Sequence, residues 1–307
     1  MKHIIRTLVL AMACSVAFGQ TDSLPKPPVK IHHAEPLFID LIRDLGARRG
    51  EKELNVGWGM ESRNGYVANT GFFEYEFSPV NRLGLEVEVP FTFYKPVFEH
   101  KEGEDAPRNR MEGVKLASQY TFLVAPKCNM SMAVGYIHEF RAHSFHSLSH
   151  GSVPLKGHNM SPFFVVAKRW GKRIHSMIYT GPEWEFTAGE KKPEKYYQLN
   201  ASMHYQLKNG GNLLGVELNQ EYFGWKAETV VRPQIKLVLT PNLALGLVTG
   251  IPLNLKDHGI SFLARVIFEP PKRSKLYFVK PKLKSYEKVN FCTMRHALRC
   301  CELWSGY

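Results

Sequence analysis

Several signatures of familiar chemistry are missing from this 307-residue chain. Beyond its first residues no stretch is long and apolar enough for a spanning helix, which needs about 20 apolar residues in a row. Any membrane insertion would therefore have to use strands. Cysteine is sparse: Cys14, Cys128, Cys292, Cys300 and Cys301 are all there are, and no two have the spacing of a structural zinc site. In an oxidising compartment Cys292 has Cys300 and Cys301 as alternative disulfide partners, and sequence does not choose between them. No glycine-rich phosphate cradle is present, and Asn209-Gly210-Gly211 reads as a hairpin turn. Acidic residues are in deficit, 28 against 40 Lys and Arg, for a formal charge of +12. That excess does not describe a nucleic-acid-binding face, because it is not spread over the chain. Lys2 and Arg6 lie at the very start, and nine Lys/Arg against Glu287 and Glu302 lie after residue 269, leaving a nearly neutral body.

What is present is alternation. Leu83, Leu85, Val87, Val89, Phe91 and Phe93 alternate with Gly84, Glu86, Glu88, Pro90 and Thr92. A period of two puts the apolar set on one face of a strand and the two carboxylates on the other. Residues 197–207 repeat the pattern, with Tyr197, Leu199, Ala201, Met203, Tyr205 and Leu207 against Gln198, Asn200, Ser202, His204 and Gln206. Strands are expected near 53–60, 66–77, 82–94, 112–124, 129–141, 162–170, 173–186, 195–207, 212–223, 228–240, 243–252 and 259–268. Short turns at 78–81, 125–129, 170–173, 208–211 and 240–242 alternate with longer links, above all 95–111 and 142–161. Outer-membrane barrels alternate tight periplasmic turns with longer external loops in this way. Phe73, Tyr75, Phe91, Phe93, Tyr120, Trp170, Tyr222 and Trp225 fall toward strand ends, as an interfacial girdle requires.

The opening residues read as a secretory signal: Lys2, His3 and Arg6, a short apolar run over 7–13, and Ala17-Phe18-Gly19 as cleavage site. The chain is thus divided into a signal peptide (1–19), a periplasmic linker with a short amphipathic helix (20–52), a transmembrane β-barrel (53–269) and a basic, Cys-containing extension (270–307). The expected fold class is all-β, an antiparallel transmembrane barrel of about twelve strands with a short N-terminal amphipathic helix. The helix is placed at 36–48 from Leu37, Phe38, Leu41, Ile42 and Leu45 at helical spacing. Arg43, Asp44, Arg48, Arg49, Glu51 and Glu53 give it a mixed-charge face, and Asp40, Arg43, Asp44 and Arg48 are its candidate plug residues. It caps the barrel rim, or it acts as a plug paired with lumen groups. The inward set is expected to include Glu86, Glu88, Lys115, Gln119, Gln198, His204 and Gln206.

Residues 33–57, beginning His33-Ala34-Glu35-Pro36-Leu37 and running through Asp40-Leu41-Ile42-Arg43-Asp44-Leu45-Gly46-Ala47-Arg48 to Asn55-Val56-Gly57, resemble the start of a family of exported proteins of Bacteroidetes-type bacteria. That family opens its mature chain with HAEPL and continues through DLIRDLGAR-x-GE into a β-rich membrane region. Some relatives carry the label phosphoribosylformylglycinamidine synthase, which a small exported chain without a phosphate loop does not support. The resemblance implies an outer-membrane protein and brings no catalytic residues.

Two side readings rest on one predicted external loop, 142–161. His138, His143, His146, His150 and His158 cluster around it, and His143, His146 and His150 are its candidate metal ligands. No carboxylate or cysteine lies within it to complete a site. Ser144, Ser147, Ser149 and Ser152 in the same loop raise a lipid-acting Ser–His hydrolase, but the histidine–serine–asparagine–glycine neighbourhood of outer-membrane phospholipase A is absent. After Phe268, Glu269-Pro270-Pro271 ends the last strand. The remainder is a basic tail, a further hairpin giving fourteen strands, or an altered terminus. The leading expectation is an outer-membrane barrel of a Gram-negative cell, serving as a narrow solute pore or a structural barrel. It needs no cofactor or catalytic residue, and its partners are outer-membrane lipid and the assembly machinery rather than nucleic acid.

Overall fold

The computed structural model describes residues 28–39, 41–97, 107–142, 155–208, 211–254 and 258–271. The wall is built from β1 (Lys52–Arg63), β2 (Tyr66–Val80), β3 (Leu83–Pro96), β4 (Arg110–Met111), β5 (Gly113–Ala125), β6 (Met130–Ala142), β7 (Leu155–Trp170), β8 (Ile174–Thr187), β9 (Glu194–Gln206), β10 (Leu213–Phe223), β11 (Lys226–Thr240), β12 (Leu243–Pro252) and β13 (His258–Phe268). Every neighbouring pair is antiparallel, and β13 pairs with β1, so the sheet closes on itself. The two-residue β4 pairs with the same β3 that carries β5 and only extends that strand, which leaves twelve staves. Closure at β1–β13 needs no strand from the tail, whose residues beyond 271 lie outside those described.

The sequence pattern is turned inside out relative to a water-soluble protein. In β1, Glu53, Asn55, Gly57 and Gly59 are buried while Leu54, Val56, Trp58 and Met60 are exposed. The same inversion puts Glu74 and Glu76 inside and Phe73 and Tyr75 outside on β2. An apolar outer surface with a polar interior is stable only where the outside is hydrocarbon. Exposed aromatics fall toward both ends of this band. Tyr75, Tyr120, Trp170 and Tyr205 lie toward the short-turn end, and Phe93, Tyr197 and Trp225 toward the other. The short-turn end carries the connections at 81–82, 126–129, 171–173 and 241–242. The opposite end carries the long links and also two tight turns, Asn64-Gly65 and Gly224-Trp225. Strand β7 begins at Leu155, seven residues before the expected position, and pairs there with both β6 and β8.

The amphipathic helix is corrected. Among the described residues of 36–48 none is helical, and the chain runs through bends and turns. The reason lies in where its backbone groups and side chains go. A helix would satisfy N–H groups internally and show one apolar stripe. Here N–H groups are taken by wall side chains, and Leu37, Leu41, Ile42 and Leu45 are all buried because the segment lies inside the barrel. Leu41, Ile42 and Leu45 pack with inward residues of β5–β8, among them Ala117, Ala133, Phe163 and Val165. Leu37 packs with Ala244, Val248 and Ile267 on the opposite wall. Each such side chain contributes roughly 1.5–3 kcal/mol of burial to docking.

Candidate functional site in the lumen

The segment enters beside the β5–β6 turn, crosses the lumen, reaches its deepest point near Phe38 and returns to β1. On the way in, His33 Nε2 lies 2.9 Å from Ser131 Oγ, and the Ala34 N–H donates to His175 Nδ1 at 3.0 Å. At the tip, Glu217 of β10 accepts three successive backbone N–H groups, from Leu37 (2.9 Å), Phe38 (2.9 Å) and Ile39 (3.1 Å). Consecutive N–H groups converging on one carboxylate form an anion-binding concavity. Gln234 Oε1 takes a further bond from the Leu37 N–H at 2.8 Å, while its Nε2 donates to Glu217 at 2.8 Å.

On the return, Arg43 adopts φ 71° and turns its guanidinium into a buried acidic cluster. Its Nη1 lies 2.7 Å from Glu53 and 3.6 Å from Glu76, its N–H donates to Glu76 at 2.8 Å, and Gln119 Nε2 donates to its carbonyl at 2.8 Å. The Gly46 N–H donates to Thr121 Oγ1 at 2.9 Å, and the Arg82 N–H donates to the Ala47 carbonyl at 2.6 Å. The wall is cut back to admit the segment. A Cβ on Gly84 would sit 1.9 Å from the Ile42 carbonyl oxygen, and one on Gly246 would sit 2.7 Å from a Leu37 methyl.

The acidic cluster is internally balanced. Glu74, Glu76 and Glu86 bring carboxylate oxygens within 4.8 Å of one another, a spacing that could hold a metal ion. Arg265 meets Glu74 at 2.7 Å, Arg43 meets Glu76, and Lys115 meets Glu86 at 3.1 Å and Glu88 at 2.5 Å. Asn55 donates to Glu53, Glu74 and Glu76 together. Buried carboxylates with cations and amides already on them form a structural network rather than an open cation site.

Charge on the inserted segment is tuned by the same enclosure. Burial lowers the His33 imidazole to about 4, helped by His175 and Arg169. Burial and the neighbouring Asp44 push the Glu35 carboxyl well up. Burial alone would raise Asp44, but its hydrogen bond with Glu35 and the charges of Lys30 and Arg43 outweigh that and hold it well below the usual carboxylate range. Lys30, ion-paired to Asp44 and 2.9 Å from Glu51, is held protonated.

Of the residues marked from sequence, Glu86, Glu88, Lys115, Gln119, His204 and Gln206 all lie on the inner face of the wall. Glu86 and Glu88 both pair with Lys115. His204 packs across Gly215, and Gln206 lines a 220 Å³ cavity at the short-turn end. Asp44 and Arg48 belong to the segment's exit, where the Arg48 N–H donates to Glu51 at 3.0 Å. Asp40, His143, His146, His150, Cys292, Cys300 and Cys301 lie outside the described residues. His158 is not in the loop but in β7, stacked between His138 and Phe186 on the outer face, with ring centroids 5.2 and 4.7 Å away. The His33–Ser131 contact lacks the third group a hydrolytic triad needs: His33 Nδ1 has no hydrogen-bond partner, and Ser131 is fully buried. Glu76, Glu217 and Arg265 have no role in the sequence reading, though each alternates with apolar neighbours as Glu86 and Glu88 do.

Toward the loop end the lumen opens into two cavities above the tip, of about 420 and 290 Å³, both bordered by Phe38, Ile39 and Arg232. The arrangement is a barrel blocked through its short-turn half and hollow in its loop half.

The fold is shared with a known outer-membrane barrel. An outer-membrane channel from Pseudomonas putida F1 superposes with a TM-score of 0.56 at 11% identity, covering 74% of this chain and 98% of that one. KdgM porin and NanC porin align with TM-scores of 0.48 and 0.49, each at 12% identity, over 70% and 71% of this chain and 98% and 99% of theirs. No curated protein matches the sequence. Residues 29–269 match one family, HAEPLYID-like, whose octapeptide is read here as His33-Ala34-Glu35-Pro36-Leu37-Phe38-Ile39-Asp40. Its first seven residues, His33 to Ile39, lie in the part of the inserted segment that crosses the lumen to its tip, and by this match the chain belongs to the HAEPLYID-like family.

Proposed function

We propose that this protein is a solute channel of the outer membrane that rests closed, with residues 28–50 as its plug. The observation that carries the reading is the docking of that segment: Glu217 holds three N–H groups at the tip and Arg43 is ion-paired inside the wall. A purely structural barrel could fill its lumen with wall side chains, as small barrels do. Here the filling is a tethered segment on a wall trimmed by Gly84 and Gly246 to receive it, while the external half stays hollow. With the short turns periplasmic, the plug enters from the periplasm and the cavities face outward. No catalytic step is assigned to the protein, and neither a metal nor a cofactor is part of the reading. Outer-membrane lipid is its solvent, and assembly machinery its partner during insertion.

Single-channel recording of the mature protein in a planar bilayer tests this, beside a variant lacking residues 29–46. Heat-modifiable gel migration must first show both to be folded. The intact protein is expected to be silent or to open briefly, and the shortened variant to give discrete, long-lived steps. A folded, shortened barrel that never conducts would overturn the channel reading in favour of a structural barrel.

A further inference from the structure

We propose that the 290 Å³ cavity above the plug is a binding site for a short peptide with free termini. The inference rests on the channel reading only in taking this half of the lumen to be reachable from outside. Three features along β10 and β11 carry it. First, Arg232 makes no close ion pair with a carboxylate among the described residues, although Glu217 stands opposite it and the charges of Glu217 and Glu61 act on it. Its guanidinium carbon sits 3.4 Å from the centroid of the Phe38 ring, and its Nη1 has no hydrogen-bond partner. Second, Glu221 and Glu228 face one another directly across the two strands, with no cation paired to either among the described residues. Third, Asn200 and Asn219, 6% and 9% exposed, leave one donor (Asn200 Nδ2) and one acceptor (Asn219 Oδ1) unpartnered. The amide orientations follow from Asn219 Nδ2, which donates to Asn200 Oδ1 at 3.0 Å and to Glu217 at 3.3 Å.

All of these groups line the one cavity. Their order is set by strand register: Glu221 opposite Glu228 nearest the mouth, Asn219 opposite Val230 next, Glu217 opposite Arg232 deepest. Four residues of strand separate Glu228 from Arg232, roughly 13 Å. An acidic pair, then a free amide donor and acceptor, then a guanidinium without an ion pair is the complement of an ammonium, a peptide bond and a carboxylate, and the second guanidinium on the lining, Arg63, is already paired with Glu61. An extended tripeptide spans about 10 Å and leaves room for a hydrogen bond at each end. A single amino acid is too short to reach both ends. A neutral sugar would leave the Arg232 guanidinium without a counter-charge. Unpaired buried polar groups are what give such a site its discrimination.

Isothermal titration of the folded mature protein in detergent micelles with trialanine tests the proposal. The comparison ligands are N-acetyl-trialanine, trialanine amide and free alanine. Trialanine is expected to bind saturably, and each capped form to bind at least about tenfold more weakly through loss of one charge-assisted hydrogen bond. Free alanine should bind no better than the capped peptides. In Arg232→Gln the free and amidated peptides should become equivalent, and in the Glu221→Gln/Glu228→Gln double variant the free and acetylated ones. No saturable heat with trialanine, or equal binding of free and capped peptides to the wild type, overturns the proposal. The capping series needs no variant, so a substitution that fails to fold does not spoil it. A barrel that binds trialanine and never conducts even when shortened by residues 29–46 sinks the channel reading alone, and one that conducts without binding it sinks this site alone.

Discussion

Arg43 of the inserted segment and Glu53 of the first strand are ten residues apart and form an ion pair at 2.7 Å, both side chains buried inside the wall. The segment therefore brings its own counter-charge to the acidic cluster it docks on. Removing one partner of such a pair leaves the other buried and uncompensated, at a cost of about 3–5 kcal/mol. Arg43→Gln should thus undock the plug more readily than it unfolds the barrel. Limited proteolysis within residues 28–50 should become faster while heat-modifiable migration persists. Unchanged protection of the segment would refute this account of the latch.

Glu217 makes a separate, local prediction. Glu217→Gln keeps the shape but removes the charge from bonds to three backbone N–H groups, a loss of about 2 kcal/mol. Hydrogen exchange at Leu37, Phe38 and Ile39 should accelerate roughly thirtyfold, the equivalent of that energy, with little change at Gly46. Equal acceleration along the whole segment would show that the tip is not held independently.

Gly84 tests the close approach. An alanine there would place Cβ 1.9 Å from the Ile42 carbonyl, so either the plug or the strand must move. Because β3 is paired on both sides, the plug should yield. Gly84→Ala is expected to raise the frequency of channel opening with an unchanged unit conductance, read by single-channel recording.

Acid should loosen the plug through His33. Docking lowers its imidazole from the usual 6.5 to about 4, so docked His33 disfavours the proton that a released His33 accepts. Above about pH 6.5 both forms are neutral and nothing is lost; between about 6.5 and 4 the released form is favoured progressively, by up to about 3 kcal/mol. Glu35, whose carboxyl is pushed up while docked, works in the opposite sense and stabilises docking as it takes up a proton. Comparing wild type with His33→Gln isolates the histidine. The wild type should gain protease sensitivity in the segment over that window, and the variant should gain less. Parallel pH profiles would exclude His33 as the acid-sensitive group.

The wall was legible because a strand in a barrel obeys one rule along its length. Glu86 and Glu88 alternate with Val87 and Val89 whatever the rest of the chain does, and the inner face follows from that parity. Strand β7 was cut short because Lys156, Gly157, His158 and Asn159 show no apolar alternation; neighbours on both sides hold them extended. The helix expected at 36–48 fails for the opposite reason. Leu37, Leu41, Ile42 and Leu45 have helical spacing, but that spacing implies a helix only when one side is wet. Surrounded by wall on every side, the segment buries those side chains in an irregular path, with Glu217, Glu76 and Thr121 taking its N–H groups. Neither Glu217 nor Arg232 has a local signal beyond its parity, since each acquires its role from residues far along the chain.

The seam between β1 and β13 sets an order of events. Nine residue pairs, from Leu54 with Phe268 to Arg63 with its partner on β13, join the first strand to the last. The plug is tethered directly to the start of β1 and lies inside the ring that this seam shuts. During biogenesis the leader of the barrel must therefore already be laid against β5–β8 when the final strand arrives, or be threaded in afterwards through the short-turn mouth. Once the ring is shut, that mouth is also the way out, so withdrawal through it, and not parting of the wall, is the motion by which the lumen would clear.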